Sequence, residues 1–486
     1  MQEKILEAVV NFLWDVPLVF AILFTGFFYT IESRLFQLTH LKLFFAETFG
    51  RIFRKSEEHD AKGLLTPLEA ANTAIGSTVG IGSIGGVATA IAIGGPGAVF
   101  WMWVAAFIGM IIKTAEVTLS VHYRSVDDEG NLYGGPTFYI ENGIGKEMNI
   151  KSWIIPAVLF GAGIVSTVFI SIINYAASDA ISSTFGLNIF GVSLTYAALL
   201  YFLIMNGIKY LSKIFMIVIP ITTTFYIVLG LVIIAMNAEK IWPVMVMIGK
   251  DAFLGTSALG GFAGAALTQV ITMGVSQAVY SSEFGWGTSP MIHSTAKVNH
   301  PVKQGFWGGI EVFFSTIVIC SITAFVILLS GEWTTGESGM TLALQSYESI
   351  LGPSGRYMVT IVIFFFAITT SSAWYSYSEI ILRHLFRKNS VTLRNKLLKL
   401  LKMVYPLPEV LLVVYVVIYH ISDRYVWIIS EITTAVPTFV NIFVLLILSH
   451  RFKKLIQDYK ARYMNKGKVD EDFAPFYAEQ IEQKAE

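Results

Sequence analysis

Residues 66–97 read TPLEAANTAIGSTVGIGSIGGVATAIAIGGPG, an apolar stretch long enough to cross a lipid bilayer. Its glycines are Gly76, Gly80, Gly82, Gly85, Gly86, Gly94, Gly95 and Gly97. Each interior Gly costs a helix about 1 kcal/mol relative to Ala, and Ser77, Thr78 and Ser83 place hydroxyls at the centre. Unwound backbone inside a membrane is tolerated only where it is buried in protein or lines a wet cavity. The stretch therefore predicts a broken helix at a binding site.

The composition is that of a polytopic membrane protein. The hydrophobic fraction is 54%, the mean hydropathy is +0.63, and charged residues make up 14% against about 25% in soluble domains. The formal net charge is zero, so nothing indicates a nucleic-acid partner. The single cysteine, Cys320, excludes a disulfide within the chain. We expect the lipid bilayer as the surroundings and see no sign of an obligatory protein partner.

Apolar segments of about 20 residues predict membrane spans. The sequence contains eleven of them, at 15–33, 67–93, 97–123, 153–184, 190–207, 212–236, 253–281, 305–330, 355–385, 403–421 and 425–449. If the N-terminus is outside, most of the 34 Lys and Arg residues fall in inside loops and in the tail, as the positive-inside rule requires. We therefore predict an all-α protein with its N-terminus outside and its C-terminus in the cytoplasm.

The eleven spans suggest a division of the chain. Residues 1–66 hold one helix and a basic cytoplasmic segment, and 450–486 form a cytoplasmic tail with a short interfacial helix and a solvated end. The ten spans between them split into 67–236 and 237–449, and two groups of five consecutive spans have opposite topology. Each half begins with a Gly-interrupted helix, at 76–86 and at 260–274. Breaks at corresponding positions of two halves indicate a transporter site.

A broken helix offers two kinds of binding groups. The N–H groups at one half-helix end suit a carboxylate, and the carbonyl groups at the other end suit a small cation. We expect the second break to face the first across the substrate, with an aromatic lid at Phe262. The alternative is that the glycines only permit close helix packing. The predicted substrate-binding residues are Thr78, Gly80, Gly82, Ser83, Gly261, Phe262 and Gly264.

Residues 369–372 read TTSS, and these successive hydroxyls cover more than one turn of the ninth span. At least one of them faces the interior, where it is able to complete a cation site against the first break. We predict that Na⁺ lies between Gly76 and Ser77 on one side and Thr369 and Thr370 on the other. The alternative is that the hydroxyls bond to carbonyls of their own helix and only bend it.

Charged residues inside the predicted spans are costly and are functional candidates. Lys113 and Glu116 are three residues apart, which favours a structural pair reaching the interface, with a proton relay as the alternative. Glu311 has no charged neighbour on its own helix, so we expect its partner in 283–303 and a role in closing an inner gate. The predicted gating or structural charges are Lys113, Glu116, Glu283, Glu311 and Glu379, the last spaced i,i+4 from Arg383.

Enzyme chemistry finds little support in the sequence. His293 and His300 share one short loop, but no acidic pair or Cys stands at metal-binding spacing. The segments SEFGWG and YGGPTFY lack a nucleophile elbow or a phosphate loop. We expect no catalytic residues and no metal other than Na⁺.

Four segments, 86–116, 133–145, 300–314 and 366–379, resemble the alanine or glycine:cation symporters, also called sodium:alanine symporters. The most distinctive is GVATAIAIGGPGAVFWMWVAAFIGMIIKTAE, at 86–116. The resemblance implies a leucine-transporter-like five-plus-five inverted repeat with one additional N-terminal helix. It also implies Na⁺-driven import of small neutral amino acids by alternating access in the plasma (inner) membrane.

The sequence departs from this family at several polar positions. Ser83 and Ser282 stand where the family has Asn, Gln277 stands where it has Arg, and Ser315 stands where it has Asp. The positions that match are Thr78, Glu311, Thr369, Thr370 and Glu379. The departures leave three alternatives open: coupling to H⁺, transport of glutamine or another amino acid, and an amino-acid sensor that does not transport.

Overall fold

The computed structural model describes residues 13–52, 63–127, 130–254, 263–387, 389–421 and 423–479, and the statements below refer to these residues. Helices make up most of them. The β structure there is one short antiparallel pair, β1 (Ser125–Val126) and β2 (Leu132–Tyr133), in the loop after a long buried helix. The chain is therefore mainly helical, as the sequence predicts.

The N-terminal segment begins with a π-helix, Trp14–Leu18, that continues into the first α-helix. The Tyr29 hydroxyl donates a hydrogen bond of 2.5 Å to the carbonyl of Leu445, so this helix is attached to the C-terminal part of the bundle. The α-helices of this segment are α1 (Val19–Glu32), α2 (Phe36–Thr39), α3 (Leu41–Glu47) and α4 (Phe49–Ile52).

The first half of the predicted repeat contains the broken helix and the longest buried helix of that half. Two 3₁₀ turns, Ile81–Ser83 and Lys151–Trp153, and a π-helix, Ile140–Glu147, lie between its α-helices. These are α5 (Pro67–Thr78), α6 (Gly85–Gly94), α7 (Gly97–His122), α8 (Pro136–Tyr139), α9 (Ile154–Phe169), α10 (Ile173–Phe185), α11 (Ile189–Ile204) and α12 (Ile208–Met236). The next helix, α13 (Ala238–Leu254), already lies in the predicted second half, 237–449.

The second half contains a π-helix, Phe313–Cys320, inside its second long helix, and a 3₁₀ turn, Glu332–Thr334. Its α-helices are α14 (Ala263–Ser282), α15 (Ser289–His293), α16 (Pro301–Val312), α17 (Ser321–Ser330), α18 (Gly339–Leu351), α19 (Pro353–Leu385), α20 (Val391–Val404), α21 (Pro406–Tyr419) and α22 (Asp423–Ile447). The tail begins with α23 (Ser449–Met464).

Six helical stretches among the described residues are long and apolar enough to cross a membrane, or eight if each sharply bent pair counts as one span. They are Gly97–His122, Lys151–Phe185, Ile208–Met236, Pro301–Ser330, Pro353–Leu385 and Val391–Tyr419, with bent pairs at Pro67–Gly94 and Ile432–Met464. The predicted spans 15–33 and 190–207 correspond to shorter apolar helices. The count of eleven and the inverted repeat stay predictions.

Helix α7 lies at the centre of the bundle, with α16 and α14 packed closely against it. On α16, a Cβ added at Gly305 would lie 2.2 Å from Thr118 Oγ1, and one at Gly308 would lie 2.7 Å from Val117 Cγ2. Small residues let two helices in a membrane approach closely. The glycines of α16 therefore bring it against α7, which buries the charged side chains between them.

The tail covers the C-terminal end of α7. His300 Nε2 lies 3.1 Å from Asp458 Oδ2 on α23, and His122 Nδ1 lies 2.6 Å from the carbonyl of Pro475. Phe473 is only 3% exposed. The expectation of a solvated end is therefore wrong for this part of the tail, because its aromatic residues find an apolar surface to cover.

The first turn of α7 is closed by an acidic side chain that the sequence analysis did not single out. Asp251 Oδ2 accepts a hydrogen bond of 2.7 Å from the Gly97 N–H, and Asp251 is 4% exposed. Trp101 Nε1 donates to the neighbouring carbonyl of Ala252 at 2.9 Å. A carboxylate is stabilising at a helix N-terminus because the macrodipole is positive there. Asp251 thus joins α13 to the start of the central helix.

We expect Asp251→Ala to destabilise the protein by about 1 kcal/mol or more, because it removes an N-terminal cap from a buried helix. Asp251→Asn keeps an acceptor oxygen and should lose less. Thermal unfolding of the purified protein in detergent measures both. Glu337→Ala, at an exposed residue, is the control. Equal unfolding temperatures for Asp251→Ala and the control would contradict this role.

Candidate functional site

The predicted broken helix is present. Helix α5 ends at Thr78, a 3₁₀ turn covers Ile81–Ser83, and α6 starts at Gly85 after a 60° change of direction. The last helical bond before the break runs from the Val79 N–H to the Ile75 carbonyl, and bonding resumes from the Ser83 N–H to the Gly80 carbonyl. The backbone between them has left the helical ladder in a fully buried place. Such backbone groups are available to a ligand.

The hydroxyl of Thr370 lies directly against this break. Thr370 Oγ1 is 3.3 Å from the Gly76 carbonyl and 2.8 Å from the Phe366 carbonyl. A Cβ added at Gly80 would lie 2.5 Å from the same hydroxyl, so only Gly fits there. Of the predicted cation ligands, Gly76 and Thr370 are therefore brought together.

The other two predicted cation ligands have different surroundings. Thr369 Oγ1 donates to the carbonyls of Phe365 and Phe366 on its own helix, both at 3.0 Å, which is the alternative that the hydroxyl run left open. Ser77 Oγ donates to the Ala74 carbonyl at 2.6 Å and lies 2.6 Å from the Tyr377 hydroxyl. Thr78 Oγ1 bonds to carbonyls of its own helix.

Two side chains hold the carbonyls of the 3₁₀ turn. Gln277 Nε2 donates to the Gly82 carbonyl at 2.7 Å, and Thr323 Oγ1 donates to the Ser83 carbonyl at 2.8 Å. The Tyr226 hydroxyl lies 2.6 Å from Thr323 Oγ1. Thr323 was missed, and its only sequence signal is a hydroxyl within the apolar segment ICSITAFVILL. The family that the sequence resembles has Arg at the position of Gln277. The side chain that contacts the break here is therefore neutral where that family has a charged one.

The second break is not within the described part of 260–274, where the sequence analysis placed it. Gly264 lies in the first turn of α14, which runs unbroken to Ser282, while Gly261 and Phe262 lie outside the described residues. A Cβ added at Gly274 would lie 2.4 Å from the Ala98 carbonyl. This glycine therefore serves close helix packing rather than unwinding.

The chain unwinds instead after Ser282. Glu283, Gly285 and Gly287 all have positive φ values, of 52°, 81° and 83°. A positive φ stops a right-handed helix and suits Gly, so the segment SEFGWG carried the signal that was missed. The short helix α15 follows at Ser289.

Glu283 connects this unwound segment to the first break. Its carboxylate accepts hydrogen bonds from Thr288 Oγ1 at 2.5 Å and from Trp374 Nε1 at 3.0 Å. The Tyr377 hydroxyl lies 3.1 Å from Glu283 Oε2 and 2.6 Å from Ser77 Oγ. One tyrosine hydroxyl therefore bridges a buried carboxylate and the predicted cation site.

Lys113 lies at the centre of a buried charge cluster. Its ammonium donates to the Glu283 carbonyl at 2.7 Å and to Ser289 Oγ at 2.8 Å, and it lies 3.9 Å from Glu116 and 4.0 Å from Glu311. The side chains of Lys113, Glu116 and Glu311 are 0% exposed. The expectation that Lys113 and Glu116 reach the interface is therefore wrong, because α14 and α16 cover this part of α7.

Glu311 finds its partners where the sequence analysis expected them, within 283–303. His293 Nε2 lies 2.8 Å from Glu311 Oε2, and Ser289 Oγ donates to the same oxygen at 3.2 Å. Gln304 Nε2 lies 2.8 Å from His293 Nδ1, which favours the tautomer with its proton on Nε2. Glu116 accepts from Asn441 Nδ2 at 2.5 Å. The cluster thus holds Glu116, Glu283 and Glu311 around one lysine.

This cluster contains three acidic side chains and one lysine. Glu116 Oε2 and Glu311 Oε1 have no hydrogen-bond partner within the described residues. Buried ionic groups in a membrane mark ion and proton pathways or gates. Glu379 stands apart from the cluster, because it forms a partly exposed pair with Arg383 at 2.9 Å. The predicted i,i+4 pairing of Glu379 with Arg383 is therefore confirmed.

The chain matches one known protein family and is similar to several known proteins. The profile of the "Sodium:alanine symporter family" matches residues 1–474. The chain is 34% identical to the "Sodium/alanine symporter AgcS" of Methanococcus maripaludis over 77% of this chain and 82% of the relative. It is 36% identical to the "Putative sodium/proton-dependent alanine carrier protein YrbD" of Bacillus subtilis over 77% of each protein.

The fold also resembles a solved structure. MhsT in complex with L-phenylalanine aligns with a TM-score of 0.57 at 15% identity, covering 80% of this chain and 89% of that one. At this identity the likeness concerns the fold alone, which is the leucine-transporter-like fold.

We expect Lys113→Met to destabilise the protein by about 3–5 kcal/mol, because it leaves the buried carboxylates of Glu116 and Glu311 without their cation. Adding Glu311→Gln to that variant removes one of the charges and should restore part of the stability. Unfolding in detergent measures both variants. Lys297→Met, at an exposed lysine, is the control. A Lys113→Met protein as stable as the control would contradict the charge assignment.

Proposed function

The chain belongs to the sodium:alanine symporter family, and from that premise we propose that it imports a small neutral amino acid of the alanine or glycine class together with Na⁺. The observation that carries this proposal is the Thr370 hydroxyl in contact with the Gly76 carbonyl at the unwound turn. Family membership makes the chain a membrane transporter rather than an enzyme. The substrate and the coupling ion are the parts that we propose.

We propose that the substrate carboxylate binds the unwound backbone from Gly80 to Ser83, through the N–H groups of Gly80 and Gly82. The turn precedes the N-terminus of α6, where the helix dipole is positive and favours an anion. Thr78 lies beside this turn at the end of α5. Gly261, Phe262 and Gly264, at and before the start of α14, remain proposed residues of the facing wall.

We propose that Na⁺ binds between the end of α5 and the hydroxyl run of α19. Gly76 contributes a carbonyl and Thr370 contributes a hydroxyl. Ser77 follows Gly76 in the sequence, and Thr369 precedes Thr370. Na⁺ is a hard cation that prefers oxygen ligands, and carbonyls at a half-helix C-terminus are typical of such sites. An ion there would bridge two helices, so its loss would let them separate.

We propose that the buried charge cluster closes the cytoplasmic side of the pathway. Glu283 lies at the start of the second unwound segment, and Glu311 lies on α16, which follows it. The backbone carbonyl of Glu283 and the carboxylate of Glu311 both contact Lys113 of the central helix. Rocking of one helix group against the other would break these contacts and open the site to the cytoplasm. We also propose the five-plus-five repeat of 67–236 and 237–449, with the N-terminus outside.

A second candidate is coupling to H⁺ instead of Na⁺. It is favoured by the excess of buried carboxylates around Lys113 and by similarity to a relative described as sodium/proton-dependent. Both candidates use the same fold and the same substrate turn, so only the driving ion distinguishes them.

Uptake into proteoliposomes tests the function. Labelled alanine, glycine and glutamine are offered with an imposed Na⁺ gradient or an imposed proton gradient. We expect accumulation of alanine or glycine only with the Na⁺ gradient. Accumulation that follows the proton gradient and does not depend on Na⁺ would show that H⁺ is the coupling ion. Accumulation of glutamine alone would show that glutamine is the substrate. Binding without accumulation would indicate a sensor.

We expect Thr370→Ala to raise the Na⁺ concentration for half-maximal uptake about tenfold, because one oxygen ligand, worth ~1.4 kcal/mol, is lost. Ser372→Ala is the matched control, since Ser372 Oγ bonds to the Ile368 carbonyl of its own helix at 2.6 Å. Uptake is measured at a fixed alanine concentration while Na⁺ is varied. An unchanged Na⁺ dependence in Thr370→Ala would remove this residue from the cation site.

A further inference from the structure

A second buried acidic site lies on the opposite side of the hydroxyl run. Glu409, on α21, is 1% exposed and belongs to the candidate span Val391–Tyr419. Its Oε1 accepts a hydrogen bond of 3.0 Å from Ser371 Oγ. The other oxygen, Oε2, has no hydrogen-bond partner within the described residues.

Glu409 differs from the three acids of the charge cluster. The carboxylates of Glu116 and Glu311 pair with Lys113, which also donates to the backbone carbonyl of Glu283. The structure records no ion pair between Glu409 and a Lys, Arg or His in the part of the chain it describes. A buried carboxylate that stays ionised needs a cation beside it, because desolvation is otherwise uncompensated. The surroundings of Glu409 therefore favour the neutral, protonated form of its carboxyl.

The groups around Glu409 are hydroxyls. The Tyr196 hydroxyl of α11 donates to Ser371 Oγ at 2.8 Å, and the Tyr405 hydroxyl donates to the Ser371 carbonyl at 2.7 Å. On the neighbouring α20, Lys402 donates to the Met205 carbonyl. The other charged residues on elements packed against α21 are Asp179 on α10 and Arg394, Lys396 and Lys399 on α20, and both of these lysines are exposed.

Ser171 lies where the predicted span 153–184 is interrupted. Helix α9 ends at Phe169 and α10 begins at Ile173, so residues 170–172 leave the helix inside the span. Ser171 Oγ accepts from the Ile173 N–H at 3.2 Å. Ile172 of this irregular segment packs against Val416 of α21, the helix that carries Glu409. Within a membrane such a segment lines a cavity or is buried by protein.

Ser371 directly follows Thr370, the residue that touches the first break. The two hydroxyls point to different sides of α19, one to Glu409 and one to the Gly76 carbonyl. A cation at Thr370 would stabilise the ionised carboxylate of Glu409 across this one helix and so lower its affinity for a proton, because charges interact strongly where the dielectric constant is low.

We propose that Glu409 is a proton-binding site within the membrane and that Na⁺ binding at the first break drives the proton off it. This proposal rests on the proposed Na⁺ site for its coupling, but the proton site itself stands on the geometry around Glu409. Among the described residues no group of three or more His, Cys, Asp or Glu side chains is arranged to hold a metal ion. A proton needs only the one carboxyl.

Two measurements on the purified full chain test the proposal separately. The first is infrared difference spectroscopy during a pH titration without Na⁺, which records the carbonyl band of a protonated carboxylic acid. We expect one such band in the wild type that is missing in Glu409→Gln. Glu337→Gln, at an exposed acid, is the control and should keep it. A band of equal size in Glu409→Gln would overturn the proton site.

Ser371→Ala provides a second variant that keeps the acid. It removes the hydroxyl that donates to Glu409, so the band should remain but shift in frequency and in its titration midpoint. An unshifted band and midpoint would show that the titrating acid is elsewhere, even if Glu409→Gln failed to fold.

The second measurement is proton release into a weakly buffered solution on addition of NaCl, with choline chloride as the reference. We expect release from the wild type and at least a tenfold smaller release from Glu409→Gln. Equal release from both, or none from the wild type, would overturn the coupling. Uptake in proteoliposomes tests transport independently: a wild type that keeps the infrared band but accumulates no amino acid would contradict the proposed function and leave the proton site intact.

Discussion

Polar backbone groups that leave a helix inside a membrane need partners, and this requirement organises the structure around residues 79–83. Gln277 and Thr323 donate to the carbonyls of Gly82 and Ser83, and Thr370 contacts the carbonyl of Gly76. These three side chains come from three different helices. The unwound turn is thus the point where those helices must meet, and a ligand binding there senses all of them.

The sequence analysis located the first break and misplaced the second, and the reason is physical. A glycine cluster beside hydroxyls predicts unwinding at 76–86, and the structure confirms it. The glycine Gly274 looks the same in sequence, yet its missing side chain admits the Ala98 carbonyl of a neighbouring helix. A helical Gly that permits close packing and one that permits unwinding differ only in their neighbours, which a single sequence does not show.

The charged residues show the same limit. Spacing on one helix predicts that Lys113 and Glu116 are neighbours, and they lie 3.9 Å apart. Their burial depends on α16, whose glycines let it cover α7. The contact between Lys113 and Glu311 joins residues almost two hundred positions apart, so no local pattern predicts it. Glu409 lies inside the predicted span 403–421 and was missed, because no local pattern shows that Ser371 of another helix lies beside it.

Helix α19 connects the proposed cation site, the charge cluster and Glu409. Thr370, Trp374 and Tyr377 follow each other at spacings of four and three, which places them on one face, and they contact the first break and Glu283. Ser371 and Tyr375 lie on the adjacent face, where Ser371 bonds to Glu409 and the Tyr375 ring packs against Tyr405. A single continuous helix therefore carries contacts to the proposed cation site, the charge cluster and the buried acid. Because a helix moves as a rigid element, displacement of α19 at any one of these contacts changes the geometry of the other two.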